Sequence, residues 1–129
     1  MLTDEERRIL GSKSFAFLAL NQGDRPQVSP VWVDVDDQGR VTLNTVEGRL
    51  KAGLLKVGTP VALAAADPED PYKYVQVRGH VVERTHKGAD EHVDSLAKKY
   101  MGVDSYPFRR PDQQRVKVVI EPEHVSGGA

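Results

Sequence analysis

Tyr72-Lys73-Tyr74-Val75-Gln76-Val77-Arg78-Gly79-His80-Val81-Val82-Glu83 alternates along twelve residues, which predicts the longest strand of the chain. Reading outward, Asp67-Pro68-Glu69-Asp70-Pro71 is a rigid loop that follows Val61-Ala62-Leu63-Ala64-Ala65-Ala66. The latter reads as a strand of small residues, open to close approach by another surface. Further upstream lie three more strands, Ser14 to Leu20, Gln27 to Asp36 and Arg40 to Thr45. The turns Gln22-Gly23-Asp24-Arg25-Pro26 and Asp36-Asp37-Gln38-Gly39 separate them. Val31, Val33 and Val35 alternate with Trp32 and Asp34, so Trp32 faces away from the valines. Downstream, Arg115 to Glu121 is the last strand. Thr3 and Glu6 fit a capping box for a first helix that ends at Gly11. Two further helices are expected, from about Gly48 to Val57 with Gly58 as a left-handed cap, and from Lys87 to Tyr100. Strands joined by tight turns, with few and irregularly placed helices, define a mainly β protein: a small antiparallel barrel with short helices.

All 129 residues are read as one domain, 1–129. Its interior is too narrow for an internal ligand, so any cofactor belongs outside the barrel or between subunits. The formal net charge of −1 argues against a nucleic-acid partner. The absence of cysteine excludes disulfides, thiolate metal sites and thiol catalysis. Met1 to Arg8 is a charged helix start without an apolar signal core, and no apolar run reaches the length of a membrane span. A cytoplasmic location is the expectation. The four histidines show no paired helical spacing, so no metal site is expected, and no nucleophile motif surrounds Ser29.

With side-chain catalysis unsupported, a cofactor that carries the chemistry becomes the expectation. Arg49 and Lys51 follow the strand ending at Thr45 and open a helix, where two cations and free backbone N–H groups would seat a phosphate or carboxylate. Gln27, Val28, Ser29, Pro30 and Val31 would run beside a ring, and Asn44 and Thr45 would meet a sugar-alcohol portion. Tyr72, Tyr74, Tyr106 and Phe108 flank loops, as interface anchors or ring walls do.

Three segments in this order, Arg25–Asp34 (RPQVSPVWVD), Leu43–Leu55 (LNTVEGRLKAGLL) and Asp67–Val82 (DPEDPYKYVQVRGHVV), resemble the split β-barrel flavin/deazaflavin oxidoreductase superfamily. The founding relatives of that superfamily are the pyridoxamine 5′-phosphate oxidases. The likeness spans roughly residues 3 to 125 and is nearest to the actinobacterial branch B proteins that use coenzyme F420; Ala97–Pro111 (AKKYMGVDSYPFRRP) looks like that branch too. The resemblance implies a homodimer with the cofactor in a groove between subunits. It implies Arg49 and Lys51 at the anionic tail, Gln27 to Val31 beside the deazaflavin with Asn44 and Thr45 on the neighbouring strand, and Tyr72 and Tyr74 supplied by the partner subunit. The implied activity is hydride transfer from reduced F420 to an unsaturated small-molecule acceptor. The C-terminal R-L-x-P segment of pyridoxamine phosphate oxidases is not found at Glu121–Val125, which argues against vitamin B6 oxidation. Two alternatives stay open: an FMN-binding relative using the same anion seat, and a non-catalytic carrier of F420 or a tetrapyrrole, with His80 or His92 as a haem ligand.

Overall fold

A computed structural model describes residues 2–128. The chain runs α1 (Asp4–Gly11), β1 (Ala16–Gln22), β2 (Arg25–Val31), β3 (Val33–Val35), β4 (Val41–Val46), α2 (Leu50–Leu54), β5 (Pro60–Asp67), β6 (Asp70–Thr85), α3 (Ala89–Met101) and β7 (Arg115–Gly128). Seven strands form one antiparallel sheet in the order β2-β1-β5-β6-β7-β4-β3. Its two outermost strands are consecutive in sequence and separated only by Trp32. Two residues of chain span at most about 7 Å, so the sheet curls until its ends meet. The expected single strand from Gln27 to Asp36 is therefore two strands. The inward alternation continues through Val31 and Val33, while hydrogen bonding changes partner from β1 to β4.

The longest strand is β6, as its alternation predicts. Val75, Val77 and Val81 point inward at no more than 1% exposure, while Tyr74, Gln76 and Arg78 stay outside. Leu18, Leu43, Leu63, Val116, Val118 and Ile120 join them to fill the barrel interior. A ligand must bind on the outside. The capping box at α1 is present in both directions, with Glu6 N–H donating to Thr3 Oγ1 at 3.1 Å and Thr3 N–H to Glu6 Oε1 at 2.7 Å.

The expected Asp67–Pro71 loop is a tight turn at Pro68 and Glu69, because Asp67 and Asp70 pair as the ends of β5 and β6. Two other boundaries differ from the sequence expectation for identifiable reasons. The α2 helix spans five residues and stops at Leu54, well short of Gly58. Fully buried Leu55 turns into the core, and the Arg84 guanidinium takes the carbonyl oxygens of Leu55 (3.1 Å) and Ala52 (3.2 Å). Gly58 still adopts positive φ, but in the turn that follows. At the other end, β7 continues through Pro122 to Gly128. A register shift between Arg78 and Gly79 sets Gly79 opposite Pro122, where a bulge tolerates a residue without an N–H donor.

The three helices cover different parts of the barrel. The α1 helix packs on β3, β5 and β6, α2 lies against β1 and β4, and α3 lies across β4 and β7. Lys99 Nζ donates to the Leu10 and Val33 carbonyls at 2.8 and 2.5 Å, tying α3 to both α1 and β3. No helix among the described residues is long and apolar enough to cross a membrane.

Candidate functional site

Two clefts lie along β2 and share one lining residue, Lys51. The first, of about 230 Å³, is lined by Gln27, Val28, Ser29, Leu50, Lys51 and Leu54 with parts of β1. The second, of about 290 Å³, lies between β2, β4 and α3 and carries Pro30, Val31, Asn44 and Lys51. Seven of the residues singled out in the sequence, Gln27 to Val31, Asn44 and Lys51, thus line this two-part groove. Packing explains this: β2 pairs with β1, and α2, which follows β4 and packs on β1, carries Lys51 to the same side.

The other candidates are placed differently. Arg49 is the exposed residue that precedes α2, with no side-chain hydrogen bond to the helix. A helix this short contributes little dipole, so the seat rests on side-chain charge rather than on a helix N-terminus. Thr45 is 1% exposed, lines neither cleft, and its hydroxyl lacks a hydrogen-bond partner. Tyr72 and Tyr74 are 80% and 44% exposed and belong to neither cleft.

Sequence reasoning missed Arg115. It opens β7, is 8% exposed, and lines the second cleft with its guanidinium 4.6 Å above the Tyr106 ring. The ten ion pairs among the described residues include none of Arg49, Lys51 and Arg115. Burial, reinforced by the Arg49 charge, holds Lys51 below the ordinary lysine pKa. Partly desolvated cations without a carboxylate partner favour an incoming anion. Phe15, Trp32, Tyr106, Val93 and Leu96 supply an apolar wall opposite them. Trp32 stacks on Tyr100 at 5.1 Å and meets Tyr106 edge-on at 6.2 Å, so these rings brace one another.

Asn44 organises the α3 side of the groove. Its amide group donates to the Ala89 carbonyl at 2.9 Å and lies 3.1 Å from His92 Nδ1, while its oxygen faces Arg115 Nη1 at 3.4 Å. With Nδ1 accepting from Asn44, His92 carries its proton on Nε2 and donates to Thr42 Oγ1 at 3.1 Å. Both ring nitrogens are engaged inside the fold, which leaves neither free for haem. His80 Nδ1 lies 3.0 Å from Glu123, outside both clefts. The Tyr100 hydroxyl is committed too, donating to the Ser14 carbonyl at 2.5 Å and accepting from Val33 N–H at 3.1 Å, and burial pushes its pKa up.

The His92 environment gives a pH prediction. Burial first, and the Lys117 charge second, lower its pKa to about 4, against about 6.5 unfolded. Protonation then favours the unfolded chain, so the stability of the neutral imidazole is intact above pH 6.5 and is lost as pH falls toward 4. From pH 7 to 5 the expected loss is about 2 kcal/mol, read as a fall in urea midpoint. Glu47, held near 2 by hydrogen bonds from Arg84 and His86, keeps its contribution over that interval. His92→Gln should flatten the dependence; an equally steep fall in that variant would locate the effect elsewhere.

No family model matches the sequence, and no curated protein matches it. Among solved structures, the chain is similar to an F420 reductase, with a TM-score of 0.81 and 24% identity over 97% of this chain and 98% of the other. It is also similar to a pyridoxamine 5′-phosphate oxidase-like protein from Listeria innocua (TM-score 0.71, 16% identity, 96% and 95% covered). An FAD-binding protein from Mesorhizobium loti gives a TM-score of 0.70 at 21% identity, with 98% and 94% covered. The chain has the split β-barrel fold of pyridoxamine 5′-phosphate oxidase-like proteins.

Proposed function

We propose that this protein is an F420-dependent reductase that transfers a hydride to an unsaturated small-molecule acceptor. The observation that carries the reading is Lys51, a half-buried lysine with no ion-pair partner beside exposed Arg49, in an apolar groove along β2. That groove suits a flat cofactor with an anionic tail. Lys51, backed by Arg49, would hold the tail. Gln27, Val28, Ser29, Pro30 and Val31 would flank the ring, the Ser29 hydroxyl and the backbone meeting its polar edge. Asn44 keeps α3 in place at the far side, and Thr45 supports the strand that carries it. When bound and reduced, a deazaflavin would supply a hydride, one proton with two electrons, to an electron-poor C=C bond, and a second proton would complete the reduction. The aromatic wall of Phe15, Trp32 and Tyr106 excludes water from the acceptor's side.

The reading includes a homodimer. Phe17 and Val28 are 54% and 66% exposed, and register places Phe17 beside Pro30 and Ala64, and Ala19 beside Val28 and Ala62. This makes one flat, outward apolar patch next to the groove, of the kind a second subunit covers. Tyr72 and Tyr74, outside the groove in the protomer, would then be supplied by the partner. The FMN alternative uses the same seat, so a fluorescence titration with F420 and separately with FMN tests the choice. Tighter binding of F420 supports the deazaflavin reading, and tighter binding of FMN replaces it.

A further inference from the structure

Arg115 has more hydrogen-bonding capacity than the fold uses. It makes one long hydrogen bond, 3.4 Å to Asn44 Oδ1, although a guanidinium carries five donor hydrogens. None of its nitrogens is both sealed from solvent and unpartnered, so the spare donors keep an opening despite 8% exposure of the residue. Acids in the adjoining surface groove are already engaged: Asp90 pairs with Arg109 at 3.1 Å and Asp112 with Arg110 at 3.3 Å. The guanidinium lies over the Tyr106 ring and lines a cleft walled by Phe15, Trp32, Val93 and Leu96.

We propose that Arg115, oriented by Asn44 and Tyr106, is a carboxylate subsite for a small ligand with a flat, conjugated body. A planar fork of donors matches the two oxygens of a carboxylate, and the pairing strengthens where water is scarce. The rigid rings suit a flat body, and an open cleft of about 290 Å³ is of small-molecule size. Taken together with the proposed function, on which this assignment to the reaction rests, the ligand is the hydride acceptor: an unsaturated carboxylic acid whose double bond is conjugated to its carboxylate. Lys51 serves the cofactor tail and Arg115 serves the acceptor.

The test is calorimetric titration of the full chain, without cofactor, using trans-cinnamate and neutral trans-cinnamamide. The wild-type protein should bind cinnamate at least about tenfold more tightly, as a charge-assisted contact predicts. Arg115→Gln should abolish that preference, Arg115→Lys should restore part of it, and the F420 affinity of Arg115→Gln should stay within about twofold of wild type. Should Arg115→Gln fail to fold, Tyr106→Ala, in the loop after α3, should weaken cinnamate several-fold. Equal binding of acid and amide, no cinnamate binding, or a preference that survives these substitutions would overturn the subsite. A matching loss of F420 affinity in Arg115→Gln would also overturn it, by assigning the residue to the cofactor seat. Absence of F420 binding to the wild type, with cinnamate selectivity intact, would sink the reductase reading alone.

Discussion

Replacing both Arg49 and Lys51 with Ala should weaken F420 binding by about 2–4 kcal/mol, roughly 30- to 1,000-fold, while the barrel stays folded. Each charge-assisted contact to an anion contributes about 1.5–3 kcal/mol, and exposed Arg49 belongs at the weak end. The fold has little reason to object. Neither side chain forms an ion pair, and Arg49 does not cap α2 with its side chain. The two charges oppose each other, since Arg49 contributes to lowering the Lys51 pKa. The melting temperature should therefore hold or rise slightly. Arg84 and Glu47, which fasten the turn that presents these cations, remain in place. Unchanged affinity in the double variant would remove the anion seat from the account.

Gly79→Ala is expected to have the largest effect on stability. A methyl group there would lie 2.0 Å from the Glu121 carbonyl oxygen and 2.9 Å from its carbon. Both atoms are backbone, at the bulge that lets β7 run past Pro122, so no rotamer change relieves the contact. The strands must separate, at a cost of about 3 kcal/mol or more. Gly11→Ala, with nothing within 4 Å of the added carbon and no positive φ, is the control and should be neutral or slightly stabilising. Urea unfolding of the two variants beside wild type checks this. A Gly79→Ala midpoint equal to that of Gly11→Ala would mean that the β6–β7 approach is softer than its geometry.

Much of this architecture is legible in the residues. The alternation of Tyr72 to Glu83, the capping box and the small outward residues of β5 translate directly into β6, α1 and a flat outer face. What is illegible is tertiary. Nothing in Val31-Trp32-Val33 announces a change of hydrogen-bond partner, because closure alters pairing and leaves the inward alternation intact. Pro122 reads as a stop signal until Gly79 supplies the bulge opposite it.

The groove follows the same division. Gln27 to Val31 sit on one outermost strand and Lys51 opens α2 nearby, so order and charge were enough to bring them together, although strand parity turns Val28 and Pro30 away from the face that carries Gln27, Ser29 and Val31. Asn44 and Thr45 could not share a wall, since adjacent strand residues point to opposite faces, and that parity was available before any coordinates. Arg115 carried no motif. An arginine at the start of a strand looks solvated until α3 and Tyr106 close over it, and that enclosure is what separates it from the other cations of the chain.

The most direct measurement is titration of the purified protein with F420 and with FMN, following ligand fluorescence, repeated on the Arg49→Ala, Lys51→Ala variant. The account predicts micromolar or tighter F420 binding, weaker FMN binding, and loss of the F420 signal in the variant. Binding of neither ligand, or a preference for FMN, would contradict it.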